Sequence, residues 1–531
     1  MRRFAVAAIV VAAFHLAGCD GGAGDSSPPP SIVLITIDTL RADRLGVYGH
    51  AGARTPVIDA LARRGVRFEA ATTPFPRTTP ALASMMTGLL PWRHGSREVG
   101  QPMAATLATL PSMLDARGYI TLGVSVNGAA GRAQNLHLGF DRFLDYQSFA
   151  DHTAAGVTDA TIALVEETLP AGAPTTTNRV SPFLLWVHYI DPHFPYAPPE
   201  TWRDQPEGRA CRDLVTRTGS DLVATAHVRI DLGGEASTAL ADCEALYDAE
   251  IAFTDFHVGR LLDALETRGL LARAYVVFTS DHGENLGEDG LFYEHGPSVH
   301  DSSLRVPLLV AGPGIEPRVD RAIARLEDLT PTLLALARVP SSEWPAFDGM
   351  DLSSRLLTGG ETSPGSAIAE SGGALLPETF LYLASGHPGD RQCINGSRFS
   401  LCVDPGGEPR LYDHVADPFL EHDVSARHPD VMAALLAVKA RWPAGQARER
   451  TLRTALYKLV ERPRPQGGWR PELYDLEADP GETRDLAAER PELTERLRGQ
   501  LDAAFAAVEP PRALELEPRE LEALRALGYL R

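Results

Sequence analysis

The sequence predicts an α/β protein with a doubly wound, mostly parallel sheet flanked by helices and a smaller C-terminal α+β region. Three observations predict this fold. Short apolar runs rich in β-branched residues recur along the first two thirds of the chain, helical patterns separate these runs, and the last third changes to short strands and helices with an internal repeat. Alternating strands and helices are typical of a parallel sheet that is covered on both faces.

The first predicted strand is residues 31–37 (SIVLITI), whose apolar composition is typical of a buried central strand. A helix is predicted within residues 55–68, because a proline lies just inside its start and a glycine lies near its end. Residues 107–119 form a second predicted helix, which leads into a strand at 121–126. Each strand is therefore followed or preceded by a helix that can cover the sheet.

The second half of the sheet repeats this alternation. Residues 182–189 (PFLLWVHY) are a predicted buried strand, and residues 246–268 have the spacing of a long amphipathic helix. Further strands are predicted at 274–279 (AYVVFT) and 306–310. In such sheets ligands bind at the carboxyl ends of the strands, so residues directly after the strands are the first candidates for a functional site.

Composition and charge exclude some classes of protein. The chain has 531 residues, 44% of them hydrophobic and 23% charged, which is ordinary for a globular protein. Its formal net charge is −20 and its pI is about 5.3. A protein that binds the nucleic-acid backbone needs a basic face, so no nucleic-acid partner is predicted.

The N-terminus has the pattern of an export signal. Two arginines precede an apolar stretch at residues 4–16, which is shorter than the roughly 20 residues of a membrane span. The small residues before Cys19 resemble the lipobox of bacterial lipoproteins; the alternative is an ordinary signal with a chance cysteine. We expect residues 1–18 to be the signal peptide, Cys19 to be lipidated and residues 19–30 to be a flexible tether. The protein is then anchored in the bacterial cell envelope, facing the periplasm or the cell surface.

Four cysteines remain besides Cys19, an even number that suggests disulfides in an exported chain. Three pairings are possible. Proximity in sequence favours Cys211–Cys243 and Cys393–Cys402, and the alternative is four unpaired buried thiols.

The chain divides into a catalytic α/β domain at 31–370 and a C-terminal α+β region at 371–531. The pattern LYDxxxDP occurs at 411–418 and again at 473–480, and a predicted helix follows each copy. Residues 205–235 are mostly polar and are predicted to be an insertion loop.

Acidic and histidine side chains directly follow two predicted strands. Asp38 follows the first strand, and Asp281 and His282 follow the strand at 274–279. A lone aspartate after a strand is more often a helix N-cap. Two such positions in one chain indicate instead that carboxylates and an imidazole converge on one metal ion.

At these residues the chain resembles the sulfatase family of the alkaline-phosphatase-like superfamily. The resemblance implies a nucleophile at a helix N-terminus, one divalent cation and a small-molecule or glycan ester as substrate. The implied cation is calcium, with magnesium, manganese and zinc as alternatives. The motifs that carry the resemblance are residues 37–43 (IDTLRAD), 78–88 (TTPALASMMTG), 191–193 (DPH), 279–284 (TSDHGE) and 473–482 (LYDLEADPGE).

The nucleophile position departs from the family pattern. Most sulfatases have Cys-x-Pro-x-Arg, or Ser in place of Cys, and oxidise that residue to formylglycine; here Thr78 and Leu82 stand at the Cys and Arg positions. Thr39 replaces one of the paired acidic ligands, and the lysine expected near Asn127 is absent. A threonine cannot become the aldehyde, so Thr78 is expected to be a direct nucleophile and metal ligand, which favours phosphoesters or phosphonate esters. The alternative is an N-cap threonine with no catalytic task.

Other residues are assigned roles from the same resemblance. His193 matches the histidine near the leaving group and is the expected general acid, unless it is a packed loop residue. His295 is expected to contact the bound anion or to lie in a solvated loop. Arg97 is expected to hold an oxyanion or to form a surface ion pair, and His188, inside its strand, is expected to be a core residue.

The leading prediction is a metal-dependent hydrolase of sulfuric or phosphoric esters. One alternative is a transferase of the same superfamily that passes a phosphoryl headgroup from lipid to an acceptor. The other is a catalytically inactive binding lipoprotein. The oligomeric state is not predicted.

Overall fold

The computed structural model describes most of the chain from residue 28 to residue 506. The predicted signal peptide and Cys19 lie outside the described residues, as does most of the predicted insertion loop. None of the described helices is long and apolar enough to cross a membrane. The described residues are 28–169, 181–203, 211, 234–288, 292–296, 298–360, 365–371, 373–376, 381–384, 392–395, 399–403, 408–413, 422–433, 436, 448–463 and 468–506.

Ten strands form the catalytic region. They are β1 (Ser31–Ile37), β2 (Val66–Thr72), β3 (Ile120–Ser125), β4 (Arg142–Leu144), β5 (Phe183–Tyr189), β6 (Ala274–Ser280), β7 (Asn285–Leu286), β8 (Phe292–Glu294), β9 (Arg305–Ala311) and β10 (Arg318–Arg325). Eight of them make one sheet in the order β10-β2-β9-β6-β1-β5-β3-β4, and β7 and β8 make a separate ribbon. Strand β9 runs antiparallel to both neighbours, whereas β6, β1, β5 and β3 are parallel. The predicted mostly parallel α/β sheet is confirmed.

Helices cover both faces of this sheet, as α1 (Pro56–Ala62), α2 (Thr78–Thr87), α3 (Pro91–His94), α4 (Leu110–Asp115), α5 (Ala154–Thr168), α6 (Gly234–Thr267), α7 (Asp301–Leu304), α8 (Leu329–Leu336) and α9 (Ser353–Thr358). Alternate residues of β1 enter two different cores, because successive side chains of a strand point to opposite faces. Val33 and Ile35 pack with the core beneath α5 and α6, and Ile32 and Leu34 pack with the core beneath α2, α4 and α8. Both faces of the central strand are thus buried away from solvent, as its apolar composition predicts.

The first predicted helix ends earlier than the sequence predicts. The helix predicted within 55–68 stops at Ala62, and the chain continues as β2, which pairs with β9 and β10. Gly65 permits this change of direction because a Cβ there would lie 2.1 Å from the carbonyl oxygen of Val310 in β9. The β-branched and aromatic side chains at the start of β2, Val66 and Phe68, are fully buried, so tertiary packing decides the conformation.

The described residues of the C-terminal region form two antiparallel sheets and a helix. Strands β11 (Ala367–Glu370), β17 (Arg450–Arg453), β18 (Tyr457–Pro463) and β19 (Trp469–Asp475) form one sheet, on which α10 (Pro491–Phe505) packs. The other sheet is a five-stranded meander inserted between β11 and β17. Its strands are β12 (Gly373–Leu376), β13 (Leu381–Ala384), β14 (Gln392–Asn395), β15 (Phe399–Val403) and β16 (Pro409–Asp413).

The two LYDxxxDP copies share hydrogen bonds as well as sequence. Leu411 in β16 and Leu473 in β19 each receive a backbone bond at 2.7 Å, from Val424 and Leu486 respectively. The backbone N–H of each leucine donates to an aspartate twelve positions on, at 3.2 Å in the first copy and 2.9 Å in the second. In both copies a segment about twelve residues downstream therefore bonds back onto the strand.

Buried ion pairs join the C-terminal sheet to the catalytic region. Lys458 of β18 is fully buried and donates to Asp301, the first residue of α7, and to Glu482, each at 2.9 Å. Glu482 also lies 2.6 Å from Nδ1 of His300. A buried charge that loses its partner destabilises a fold by several kcal/mol, so these pairs fix the orientation of the C-terminal sheet on α7.

Candidate active site

Four neighbouring strand ends deliver polar side chains to one edge of the sheet. Asp38 follows β1, Asp281 and His282 follow β6, Asn127 lies just beyond β3, and His188 is the penultimate residue of β5. All five are fully buried. Because these strands are adjacent and parallel, their carboxyl ends meet at one place.

Asp38, Asp281 and His188 form a group that could hold a metal ion. One ligand atom from each residue lies within 4.8 Å of the others. Asp38 Oδ1, Asp281 Oδ2 and His188 Nε2 are buried and have no hydrogen-bond partner within the described part of the chain. Leaving carboxylate oxygens buried and unpaired is costly, and a cation between them would satisfy both. The residues present therefore fit a divalent cation.

His282 is oriented as a further ligand to the same ion. Its Nδ1 donates to the carbonyl oxygen of Gly283 at 3.0 Å, which leaves the lone pair on Nε2. That Nε2 lies 3.4 Å from Asp281 Oδ2 and 3.7 Å from Asp38 Oδ1. A histidine that donates through one ring nitrogen is fixed in the tautomer that can bind metal through the other. Three of the four predicted metal ligands, Asp38, Asp281 and His282, thus lie together.

The pKa values of the two aspartates also indicate that this group binds a cation. Burial raises the pKa of Asp281 well above its ordinary value, and the negative charge of Asp38 raises it further. Burial also opposes ionisation of Asp38, but His188, His193 and His282 outweigh burial and lower its pKa. Burial lowers the pKa of His282 to about 4, so its imidazole is neutral at pH 7. Two facing carboxylates need a positive charge between them before both can ionise.

Thr78 is brought to this group by helix α2. Its Oγ1 lies 3.3 Å from Nε2 of His282, and the residue is fully buried. The N-cap of α2 is Arg77, so Thr78 is the first helical residue and the alternative of an N-cap threonine does not describe it. The N-terminal backbone N–H groups of α2 carry positive dipole charge, which favours an anion next to Thr78.

The neighbouring Thr79 has a structural task. Its Oγ1 donates to the carbonyl oxygen of Ala129 at 2.7 Å and accepts from the N–H of Gly100 at 2.8 Å. Its hydroxyl hydrogen is therefore used in holding two loops together. Of the two adjacent threonines, Thr78 is the one directed at the group of metal-binding side chains.

His193 and His295 lie beside His282. The ring centroids of His295 and His282 are 4.4 Å apart, and those of His193 and His295 are 5.2 Å apart. The fully buried carboxylate of Glu284 lies 3.2 Å from Nδ1 of His295, which orients the ring. Burial lowers the pKa of His295 well below its ordinary value, and the charges of His282, His193 and Arg77 lower it further. Both predicted catalytic histidines are thus brought to Thr78 and the metal-binding group.

Three positions show how the chain fills the places where the family pattern has other residues. Leu82 is fully buried in the core beneath α2, so no cation occupies that position. Asn127 Nδ2 donates to Asp38 Oδ2, so it holds a carboxylate. Thr39 has a φ of 54°, which is uncommon for a β-branched residue, and its backbone N–H donates to Asp281 Oδ1 at 3.3 Å.

Arg97 lies in an ion pair. Its Nη2 donates to both carboxylate oxygens of Glu370, at 2.5 and 2.7 Å, and its side chain is buried. This pair joins the segment after α3 to the end of β11. A substrate contact for Arg97 stays a prediction, which the ion pair with Glu370 disfavours.

Four of the cysteines lie in the described part of the chain. Cys211 and Cys243 are joined by a disulfide with Cα atoms 5.0 Å apart. Cys393 and Cys402 stand opposite each other in the antiparallel pair β14–β15.

Sequence reasoning missed the site contacts of His188, Asn127 and Glu284. The prediction of His188 as a core residue is correct in burial, but its Nε2 lies 3.8 Å from Asp38 Oδ2 and its Nδ1 lies 2.9 Å from the Thr36 hydroxyl. An ionisable residue near the end of an otherwise apolar strand was the available signal. Glu284 lies inside the TSDHGE motif itself, yet only the fold shows that it contacts His295.

Comparisons with known proteins show which family the chain belongs to. Among curated relatives, the chain is 29% identical to human arylsulfatase A over 448 residues, covering 77% of this chain and 86% of that protein. It is 26% identical over 428 residues to an ulvan-active sulfatase of Formosa agariphila, covering 75% and 78% respectively. Among solved structures, a phosphonate monoester hydrolase of Silicibacter pomeroyi superposes with a TM-score of 0.61 at 18% identity, covering 91% of this chain and 97% of that one.

A structure of BT4656 with its substrate D-glucosamine-2-N,6-O-disulfate superposes equally well, with a TM-score of 0.61 at 19% identity. It covers 90% of this chain and 98% of that one. At these identities the two structures show a shared fold. The family model described as Sulfatase matches residues 30–339, which is more than half of the chain. The chain belongs to the sulfatase family of ester hydrolases.

Proposed function

We propose that this protein is a metal-dependent hydrolase in which unmodified Thr78 is the covalent nucleophile, and that it turns over phosphoesters or phosphonate esters better than sulfate esters. The observation that carries the proposal is the hydroxyl of Thr78, 3.3 Å from His282 Nε2 at the metal-binding group. The phosphonate monoester hydrolase is similar to this chain in fold, and that similarity says nothing about the substrate. The preference for phosphorus rests on Thr78.

The side chain of threonine limits the chemistry. Its Cβ carries a methyl group, so oxidation cannot give the aldehyde whose hydrate expels sulfate by breaking a C–O bond. An ester on Thr78 must be released by water that attacks the sulfur or phosphorus atom. Phosphoryl transfer proceeds this way when charge is stabilised and the reacting groups are positioned.

The residues of the site can perform both steps. In the first step Thr78 Oγ gives its proton to His295 and bonds to phosphorus, the bond to the leaving alkoxide breaks, and His193 gives that oxygen a proton. The proton on His295 then passes to the neighbouring His193, which restores both rings. In the second step water gives a proton to His295 and bonds to phosphorus, the Thr78 Oγ–P bond breaks, and His295 returns the proton to Thr78. His295, oriented by Glu284, is placed to accept the proton of the attacking water. A divalent cation bound in this site supplies charge stabilisation and lowers the pKa of a bound hydroxyl.

The donor set informs the choice of metal. Asp38 and Asp281 supply carboxylate oxygens, and His188 and His282 supply imidazole nitrogens. Calcium prefers oxygen ligands, whereas imidazole suits zinc and other transition metals and carboxylates suit manganese. We therefore propose manganese or zinc ahead of the calcium that the family resemblance implies.

A substrate panel tests the function. Purified protein is assayed with aryl sulfate, phosphate monoester, phosphodiester and phosphonate monoester substrates, with each metal and with a chelator. We expect chelator-sensitive turnover that is fastest on a phosphorus ester. Efficient multiple turnover of the sulfate ester with little activity on phosphorus esters would contradict the substrate preference. Transfer to an added alcohol acceptor in place of water would support the transferase alternative, and no turnover of any substrate would support the inactive binding lipoprotein.

We also propose that the protein is exported and lipidated at Cys19, which keeps the catalytic domain at the envelope membrane. Labelling with an alkynyl fatty acid should mark the wild-type chain and leave Cys19→Ser unmarked. Wild-type protein that carries no label, or Cys19→Ser that is labelled equally, would contradict lipidation.

A further inference from the structure

We propose that Arg77 is the anion-binding arginine of this site, and that its guanidinium holds the non-bridging oxygens of the phosphoryl or sulfuryl group of the substrate. The inference rests on the proposed ester-binding function of the site and names the residue that recognises the charged part of the ester. Arg77 lies outside the arginine position of the family motif, which is Leu82 in this chain.

The backbone places Arg77 directly beside the nucleophile. It is the N-cap residue of α2, with extended angles of φ −151° and ψ 146°, and Thr78 follows it. Its guanidinium lies against the backbone of Gly296, where a Cβ would be 2.3 Å from Nε and 2.6 Å from Cζ. Gly296 follows His295 and has a φ of 111°, so the chain turns there and leaves room for the arginine.

The charge of Arg77 acts on the groups around the reacting atoms. The guanidinium lies against Gly296, the residue after His295, and the ring of His295 stacks on that of His282 with centroids 4.4 Å apart. An anion bound beside these two histidines would therefore lie near the guanidinium. An arginine presents two parallel N–H donors to phosphate or sulfate oxygens, which is the geometry that a tetrahedral anion requires.

The charge of Arg77 also acts on a buried carboxylate, that of Glu98. Burial raises the pKa of Glu98, and the charges of Arg448 and Arg77 oppose that rise. Glu98 accepts a hydrogen bond from Arg448, which in turn donates to the carbonyl oxygen of Ser371 at 3.0 Å. The segment before β17 thus holds Glu98 in place, and Glu98 can orient the guanidinium. The competing explanation is that Arg77 only neutralises Glu98, so the test must separate the two roles.

The test is equilibrium binding of inorganic phosphate and inorganic sulfate to the manganese-loaded full-length protein, measured by isothermal titration calorimetry. The variants are Arg77→Ala, Arg77→Lys and the double variant R77A/E98Q. The matched control is Arg93→Ala. Arg93 lies on α3 and pairs with Asp348 at 2.6 Å. We expect Arg77→Ala to weaken anion binding about 10- to 100-fold, the range for losing a hydrogen bond to a charged group. Arg77→Lys should recover part of this loss, and the control should bind like wild type.

The double variant separates binding from neutralisation. Removing the charge of Glu98 relieves the cost of leaving it without Arg77, and Arg448 keeps its ion pair with Glu370 at 3.3 Å, so R77A/E98Q should fold and still bind the anions weakly. Recovery of wild-type affinity in R77A/E98Q would overturn the proposal, as would wild-type affinity in Arg77→Ala or no anion binding by wild type in the millimolar range. Anion binding that depends on Arg77 without turnover of any ester would instead overturn the proposed hydrolase function and leave Arg77 as the anion ligand.

Discussion

The hydroxyl of Thr78 lies 3.3 Å from Nε2 of His282, although the two residues are 204 positions apart in the sequence. Thr78 comes from the N-terminus of α2 and His282 from the end of β6, and both are fully buried. The contact joins the helix terminus and the metal-binding group into one site. An ion held by His282 would lie within reach of the Thr78 hydroxyl, which is the arrangement that a metal-assisted nucleophile needs.

Replacing Asp281 by Asn should abolish metal binding. The substitution removes one of the two facing carboxylates, so charge compensation of the cation is halved, and we expect ester turnover to fall about 100-fold or more. Bound manganese and zinc are measured by mass spectrometry of the elements after gel filtration. Asp263→Asn, a change at an exposed position on α6, is the matched control and should retain metal. An Asp281→Asn protein with the full metal content of wild type would refute the assigned site.

His188→Leu distinguishes a core histidine from a metal-binding one. Leucine fills the buried space but loses the hydrogen bond to Thr36, so a purely structural role predicts some loss of stability with unchanged metal affinity. Because His188 Nε2 belongs to the group with Asp38 and Asp281, we expect the affinity for manganese to fall about tenfold or more. The affinity is measured by competition with a fluorescent chelator, and equal affinity in the two proteins would show that His188 is not a ligand.

Glu284→Gln tests whether Glu284 orients His295. Glutamine keeps the size of the side chain but loses the charged acceptor 3.2 Å from Nδ1, so the ring is no longer held in one tautomer. We expect kcat to fall about 10- to 100-fold with KM nearly unchanged, and the pH profile of kcat to shift. Glu266→Gln, at an exposed position on α6, is the matched control. If Glu284→Gln keeps both kcat and the pH profile of wild type, the orienting role is wrong.

The buried His94 should make the fold sensitive to acid. Burial lowers the pKa of His94 from 6.5 to about 3, and its Nε2 lies 2.9 Å from the Ser84 hydroxyl of α2. Between these values the unfolded chain binds a proton that the folded chain does not, so the free energy of unfolding falls as the pH falls, by up to about 1.4 kcal/mol per pH unit from this residue. His94→Gln should flatten that slope between pH 6 and 4 in urea unfolding and leave the slope above pH 7 unchanged. Equal slopes for both proteins below pH 6 would contradict this assignment.

Local sequence signals were sufficient for the parallel part of the fold. Apolar strands such as SIVLITI, and the acidic or histidine residues directly after them, predict both the central sheet and the place of Asp38, Asp281 and His282. These predictions succeed because burial on both faces and position at a strand end are properties of consecutive residues. The helix boundary after Ala62 failed because β2 is stabilised by pairing with β9 and β10, which lie far away in sequence.

The remaining site residues depend on contacts that no local pattern contains. His188 and Asn127 reach Asp38 only because β5 and β3 lie on the same side of β1 in the sheet. Arg77 can lie against Gly296, the residue after His295, only because a glycine leaves room for its guanidinium. Arg97 shows that nearness in sequence can mislead. It follows the nucleophile helix closely in sequence, but its guanidinium pairs with Glu370 of β11.

The central claim is that Thr78 is an unmodified nucleophile, and mass spectrometry of peptides from rapidly quenched turnover of a phosphonate monoester tests it most directly. In the resting protein residue 78 should have the mass of plain threonine, and in the quenched sample part of it should carry the phosphonyl group. Thr78→Ala should lose the adduct and about 10³-fold or more of the activity, whereas Thr78→Ser should retain part of both because the hydroxyl remains. An adduct on Thr79 or on any other residue, or full activity in Thr78→Ala, would contradict the account.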